Sequence, residues 1–197
     1  NGEPGQRNGV SVVSLEHKMG LHGSPTAVMQ YDNATGWMIG REGGGMAAMF
    51  TMMNNARLGV GEQGIGAAEG AYQLALDYAL ERKQFGKPIG QHQLVQGLLA
   101  DCQTDLHAGR ALLRSTADLL DRDGKAILEA SCTKYFCTEM VGRVADRALQ
   151  IHGGAGYMAE YDIERLYRDV RVLRIYEGTS QIQQTIIAKR TLAGRAA

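Results

Sequence analysis

The sequence has no excess of either charge and no long apolar run. Its 21 lysines and arginines balance 21 aspartates and glutamates. A neutral chain gives no electrostatic reason to expect binding to nucleic acid or to an anionic membrane. No stretch reaches the roughly 18 apolar residues of a membrane span, and the first residues lack the charged-then-apolar pattern of a secretory signal. We therefore expect a cytoplasmic protein without nucleic-acid or membrane partners.

Cysteine is scarce. The three cysteines, Cys102, Cys132 and Cys137, are odd in number and form neither a Cys-x-x-Cys motif nor a cluster with histidine. This pattern argues against a disulfide framework and against a zinc site. We expect free thiols and no metal.

Helical periodicity dominates the chain after residue 45. Apolar residues recur there at spacings of three, four or seven, which predicts helices at about 46–82, 91–121, 125–151, 161–168 and 179–193. Long helices with short connections pack antiparallel, so the predicted fold is mainly α, an antiparallel four-helix bundle over residues 46–197. Ser180 and Gln183 have capping-box spacing and predict the start of the last helix.

Residues 1–45 differ in pattern. Three short β-prone runs begin near Val10, Ala27 and Trp37, and glycine, proline, asparagine and aspartate separate them. Three short strands would leave sheet edges and one face uncovered. We expect this segment to be the end of a larger β domain.

The first predicted helix contains five glycines: Gly59, Gly61, Gly64, Gly66 and Gly70. Each costs about 1 kcal/mol relative to alanine inside a helix, about 4–5 kcal/mol together. Close approach of another backbone or of a flat ligand would offset that cost.

Glu177 is a candidate general base because it directly precedes Gly178 and a predicted helix start. A carboxylate takes a proton well when it is held close to it, and a helix start adds free N–H donors. A helix-start acid favoured by the macrodipole is the alternative that spacing alone leaves open.

Four segments carry a resemblance to a known family. ALERKQFGKPIGQHQ (79–93), DRALQIHGGAGY (146–157), ERLYRDVR (164–171) and IYEGTSQIQ (175–183) resemble, in order and spacing, the acyl-CoA dehydrogenase family. The resemblance covers the C-terminal helical domain, and residues 1–45 are similar to the end of the family's middle β domain. Residues 16–26 and 49–61 resemble the branch that includes 3-methylthiopropionyl-CoA dehydrogenase.

The resemblance implies a function. Family members bind FAD and oxidise an acyl-CoA thioester to its trans-2-enoyl form, so Glu177 would take the α-proton and a hydride would pass from the β-carbon to the flavin. Gly178 would leave room for the flat thioester, and Arg57 would lie near the coenzyme A moiety. Glu62 matches the base of some long-chain members and is the second candidate. Asn54 replaces an aspartate of many members, which puts a coenzyme A contact there in doubt.

The resemblance also implies cofactor contacts. At the start of the last helix, FAD would be contacted by Thr179 and Gln181. The FAD of a neighbouring subunit would be contacted by Arg82, Phe85, His92, Gln93, Gln150, Gly153 and Gly154. We expect a homodimer or homotetramer, with apolar faces exposed on the second and third helices, and an electron-transfer flavoprotein as acceptor.

Two other readings stay open. An acyl-CoA oxidase would pass its electrons to oxygen instead. A non-catalytic module would use the bundle only for oligomerisation or flavin binding. The chain corresponds to about half a family subunit and is not expected to enclose flavin and substrate alone.

Overall fold

The computed structural model describes residues 5–194, apart from the side chains of residues 54 and 55. The chain forms two compact units, one ending at Phe50 and the other beginning at Thr51. Within the described residues, no helix is both long and apolar enough to cross a membrane. The same residues contain no group of three or more histidine, cysteine, aspartate or glutamate side chains arranged to hold a metal ion.

The first unit contains one antiparallel hairpin. Strands β1 (Val10–Leu15) and β2 (Ala27–Tyr31) pair with a register shift between Val12 and Ser14. The predicted third strand at residues 37–39 is wrong, because that run forms no backbone ladder and Trp37 and Ile39 are fully in solvent, at 85% and 97% exposure. Apolar character alone does not supply the partner strand that a ladder requires.

The second unit is helical, as the sequence predicts. Helix α1 is followed by a short hairpin, in which strands β3 and β4 have two residues each. A 3₁₀ segment precedes α2, and two more lie between the later helices. The elements are α1 (Gly45–Glu81), β3 (Lys83–Gln84), β4 (Lys87–Pro88), α2 (Gln93–Asp123), α3 (Ile127–His152), α4 (Asp162–Asp169) and α5 (Ser180–Ala193), with 3₁₀ segments at Ile89–Gln91, Gly153–Tyr157 and Val170–Arg174.

The start and end of α2 have local causes. The helix begins two residues later than predicted because residues 89–91 form a 3₁₀ turn and His92 is extended, as an N-cap residue should be. It ends at Gly124, which has φ +66° and donates its N–H to the carbonyl of Leu120 at 2.8 Å. Glycine adopts this left-handed cap without steric cost.

Helix α3 is the centre of the bundle. It packs against α2, α4 and α5, and 13 of its residues are buried. Most of these are apolar, including Met140, Val141, Val144 and Ala148. The expected exposed apolar face on this helix is therefore wrong, whereas Leu94 at the start of α2 is 89% exposed although its spacing predicts burial.

Two glycines of α1 allow α3 to approach closely. A Cβ added at Gly64 would lie 2.9 Å from the backbone oxygen of Cys137, and one at Gly61 would lie 3.1 Å from the Thr133 methyl group. Gly59 and Gly66 face open space. Close backbone approach therefore explains Gly61 and Gly64, and the expected offset of their helical cost is confirmed at these positions.

We predict opposite effects for alanine at two glycines of α1. Gly66→Ala should raise the free energy of unfolding by up to about 1 kcal/mol, because it removes the glycine penalty and meets no atom. Gly64→Ala should lower it by about 1–3 kcal/mol, because the new methyl group collides with α3 backbone. Urea denaturation of both variants checks this. Equal stabilisation by the two would contradict the close packing of α1 on α3.

Candidate active site

The turn that carries Glu177 has an unusual backbone. Glu177 has φ +52° and Gly178 has φ +89°, between the 3₁₀ segment ending at Arg174 and the start of α5. A left-handed conformation costs a residue with a side chain roughly 1–2 kcal/mol. Such strain persists only where the surroundings determine the conformation, and this happens most often at functional sites.

Gly178 has a local structural reason. Besides its positive φ, a Cβ at this position would lie 2.7 Å from Nε2 of Gln183. That amide donates to the carbonyl oxygens of Glu177 at 3.3 Å and of Gly178 at 3.2 Å. The glycine therefore lets the Gln183 side chain cross the turn and hold it.

The N-terminus of α5 differs from the predicted capping box. The N-cap residue is Thr179, whose hydroxyl accepts from the N–H of Ile182 at 3.3 Å. Ser180 is already helical, and its hydroxyl donates to Oε1 of Glu139 on α3 at 2.5 Å. The N-cap lies one residue earlier than the predicted Ser180, because Thr179, with ψ 162°, is the last extended residue before the helix.

Helix α3 supports the turn through two charged side chains. The ammonium of Lys134 donates to the carbonyl oxygens of Leu173 at 2.9 Å and of Gly178 at 2.7 Å. Glu139 forms a salt bridge with Arg174 at 3.2 Å. Lys134 is fully buried, and this burial lowers the pKa of its ammonium to about 8, against the opposing charges of Glu139 and Glu177.

The carboxylate of Glu177 is half-buried. Its Oε2 atom is buried and has no hydrogen-bond partner among the described residues. A buried polar atom without a partner costs free energy, so each instance in a structure needs an explanation. Glu62, the second candidate base, is exposed on α1, one position before Gln63, which accepts a hydrogen bond from the Tyr176 hydroxyl.

Arg57 lies on the α1 side of the same region. It is 5% exposed, and burial lowers the pKa of its guanidinium. Its positive charge also contributes to lowering the pKa of Lys134. The structure thus brings the predicted substrate residue Arg57 close to the supports of the Glu177 turn. The Asn54 side chain lies outside the described residues.

A second region surrounds the β3–β4 hairpin. Phe85 and Gly86 form its turn with φ +50° and +80°, and the Phe85 ring is 93% exposed. An open groove of about 910 Å³ adjoins it. The groove is lined by Gln84, Phe85, Lys87, Ile89, Gln91, His92, Gln93, Leu94, Val95, Gln96 and Ile151.

Local contacts fix the shape of this groove. The ring of His92 meets that of Phe85 edge-on at 6.0 Å, and its Nε2 lies 3.2 Å from the carbonyl oxygen of Gln84. Arg82 accepts the N–H of Ile89 on its carbonyl at 2.8 Å, and its side chain is exposed. A strained, solvent-exposed aromatic beside an open groove is an arrangement that suits a flat ligand or a partner surface.

The predicted cofactor residues fall on separate surfaces. Phe85, His92 and Gln93 line the groove, and Gln150, Gly153 and Gly154 are exposed beside it at the end of α3. There, His152 stacks on Tyr78 of α1 with ring centroids 4.4 Å apart. The remaining two, Thr179 and Gln181, lie at the start of α5 with the Glu177 turn and do not line the groove.

Two supporting residues, Lys134 and Glu139, were not predicted from the sequence, and Gln183 was predicted only as the capping-box partner of Ser180. A signal for Lys134 was present, because it falls between Ala130 and Val141 on the buried face of α3. A charged residue on an apolar helix face is rarely buried unless it is paired. The signals for Glu139 and Gln183 were weaker, because polar residues on partly exposed helices are ordinary.

Comparison with known proteins identifies relatives. A family model for the C-terminal domain of acyl-CoA dehydrogenases matches residues 43–192. The chain is 43% identical over 203 residues to 3-methylmercaptopropionyl-CoA dehydrogenase of Ruegeria pomeroyi, a match covering 92% of this chain and 34% of that protein. It is 42% identical over 183 residues to subunit CarC of the caffeyl-CoA reductase–Etf complex of Acetobacterium woodii, covering 91% and 48%.

A solved structure agrees with these matches. Butyryl-CoA dehydrogenase from Megasphaera elsdenii superposes with a TM-score of 0.87 and 33% identity, over 93% of this chain and 49% of that one. The chain therefore spans between one third and one half of the length of these relatives. The resemblance expected from the four sequence motifs is confirmed: the chain belongs to the acyl-CoA dehydrogenase family and covers its C-terminal domain.

Proposed function

We propose that this chain is the C-terminal portion of an FAD-dependent enzyme that oxidises an acyl-CoA thioester to its trans-2-enoyl form, with Glu177 as the catalytic base. The observation that carries this proposal is the buried Oε2 of Glu177, which lacks a partner among the described residues. An unpaired carboxylate oxygen on a rigid turn is ready to accept a proton.

The chain's own residues account for the proton transfer. Glu177 takes the α-proton, the thioester carbonyl stabilises the charge that develops, and the electron pair of the α C–H bond forms the double bond to the β-carbon as the hydride leaves that carbon. The backbone of Gly178 would lie against the thioester, although Gln183 takes the space of its missing side chain, and Arg57 would bind the coenzyme A moiety. A bound FAD would supply the acceptor for the hydride that leaves the β-carbon.

The second region fits a dinucleotide cofactor. The groove of about 910 Å³ is within the usual size of ligand sites, and the exposed Phe85 offers an aromatic face beside it. The guanidinium of Arg82 suits a pyrophosphate because its fork can bind two oxygens. Gln93 and Gln150 supply amides, and the exposed backbone of Gly153 and Gly154 permits close contact.

The proposal includes partners. One relative is a subunit of a caffeyl-CoA reductase–Etf complex, which supports association of this protein with an electron-transfer flavoprotein, here in the role of acceptor. We also propose a homodimer or homotetramer, because Phe85 and Leu94 leave apolar surface next to the groove. An acyl-CoA oxidase remains the rival, and rapid reoxidation of the reduced flavin by air would favour it.

We predict that Glu177→Gln in the complete, FAD-loaded protein slows flavin bleaching by acyl-CoA. The loss should be about 10²–10⁴-fold, the usual contribution of a general base, because the amide cannot accept the α-proton. Anaerobic stopped-flow absorbance measures the rate, and the flavin content should remain that of the wild type.

Glu62→Gln is the matched control, because Glu62 is exposed on α1. It should change the bleaching rate by less than about tenfold. A large loss in Glu62→Gln together with a small loss in Glu177→Gln would transfer the role of base to Glu62. No bleaching of the wild-type flavin by any acyl-CoA would favour the non-catalytic module.

We predict that Phe85→Asn stabilises the fold and weakens FAD retention. Asparagine followed by Gly86 is a preferred pair for a turn with two positive φ values, so the free energy of unfolding should rise by about 1 kcal/mol. Loss of the exposed ring should lower the flavin retained after dialysis. Leu94→Ala, at a nearby exposed position without backbone strain, should not raise stability. Unchanged flavin retention in Phe85→Asn would contradict the cofactor role.

We predict that the protein sediments as a dimer or tetramer. The apolar surface around Phe85 and Leu94 should be buried between copies. Analytical ultracentrifugation measures the mass, and a monodisperse monomer would contradict the proposed assembly.

A further inference from the structure

We propose that Lys134 is a positioning residue of the reaction, whose buried side chain fixes the turn that directs the Glu177 carboxylate at the substrate. This inference rests on the proposed function. It assigns the role to a side chain that acts through the backbone of the turn and touches no reacting atom.

The contacts of Lys134 enclose the segment that carries Glu177. Its ammonium donates to the carbonyl oxygens of Leu173 at 2.9 Å and of Gly178 at 2.7 Å. Leu173 is the penultimate residue of the 3₁₀ segment Val170–Arg174, and Gly178 directly follows Glu177, so one ammonium joins both ends of a six-residue stretch. The residues of this stretch follow Lys134 by 39 to 44 positions in the sequence. A bond at only one end would leave the turn free to rotate.

The turn needs such a restraint because its conformation is strained. Glu177 at φ +52° would relax to a negative φ if its neighbours allowed it. Gln183 holds the turn from the α5 side, through longer hydrogen bonds of 3.2 and 3.3 Å. Lys134 supplies the shorter bond, with a charged donor, and charge-assisted hydrogen bonds are the stronger kind.

The charges around Lys134 leave the base available. Glu139 on α3 faces the ammonium but is engaged by Arg174 and Ser180. Arg57 on α1 repels the ammonium, and Glu177 attracts it. Because the ammonium bonds to carbonyl oxygens, Oε2 of Glu177 keeps no partner among the described residues. A direct ion pair would have occupied the carboxylate that must take the proton.

The test is Lys134→Met in the complete, FAD-loaded protein. Methionine fills a similar volume without a donor or charge, so the turn loses its two hydrogen bonds to Lys134. We expect kcat to fall by about 10²-fold, the usual cost of misplacing a reactive group by about 1 Å. KM should change by less than about threefold, because ground-state binding is not involved. With α-deuterated acyl-CoA the isotope effect on kcat should rise, because proton abstraction becomes slower.

A second readout is independent of activity. Amide hydrogen exchange should accelerate in residues 173–178 of Lys134→Met and remain unchanged in α2. Lys134→Gln keeps an uncharged amide donor group and should give an intermediate exchange rate and an intermediate kcat. This variant also keeps the test decisive if Lys134→Met does not fold.

Thr133→Val is the matched control. Thr133 precedes Lys134 on α3 and is also fully buried, but its hydroxyl bonds to Thr116 of α2 at 2.7 Å. The variant should lower Tm while leaving kcat and the isotope effect unchanged.

The outcomes separate this inference from the proposed function. A wild-type protein that bleaches its flavin, with wild-type kcat and isotope effect in Lys134→Met, would overturn the positioning role alone. If kcat of Lys134→Met falls only as far as its lower Tm explains, with an unchanged isotope effect and unchanged exchange in residues 173–178, Lys134 has a merely structural role. A wild-type protein that never bleaches its flavin would overturn the proposed function, and the positioning role with it.

Discussion

Burying an ammonium group removes its hydration, which costs several kcal/mol unless hydrogen bonds replace the lost water. The bundle buries that of Lys134 completely and replaces the water with two backbone carbonyls and nearby carboxylates. Neither carbonyl belongs to the helix that carries the lysine. The cost of burial is therefore offset only when the turn lies against α3, and the buried charge makes the conformation of the turn part of the packing of the bundle.

The same dependence extends to α1. Lys134 lies one position after Thr133, whose methyl group faces Gly61, and three before Cys137, whose carbonyl faces Gly64. The two glycines let α3 lie close enough to α1 for both helices to share one core. A larger residue at Gly64 would displace α3, the helix that holds the Glu177 turn. The free-energy cost of placing these glycines in α1 is therefore linked to the geometry of the site.

Periodicity predicted the helices because the apolar residues of each helix recur at a spacing close to 3.6 residues. The end of α2 at Gly124 was also predictable, because the glycine that ends it is part of the same local sequence. Predictions failed where the deciding atoms came from elsewhere. The run at 37–39 has no partner strand, and Ser180 is used by Glu139 of α3 instead of by its own helix. Motif matching found Glu177 but not Lys134, because a motif contains neighbours in sequence and Lys134 lies 44 positions from Gly178, whose carbonyl it binds.

The division of the cofactor residues has a geometric reason. Lys134 holds the Glu177 turn near one end of α3, and Ile151 lines the groove at the other. Seventeen residues of helix separate them, a distance of roughly 25 Å at the α-helical rise. A general base acts only within hydrogen-bond reach of its proton. Glu177 and Phe85 of one chain therefore do not contact the same reacting atoms.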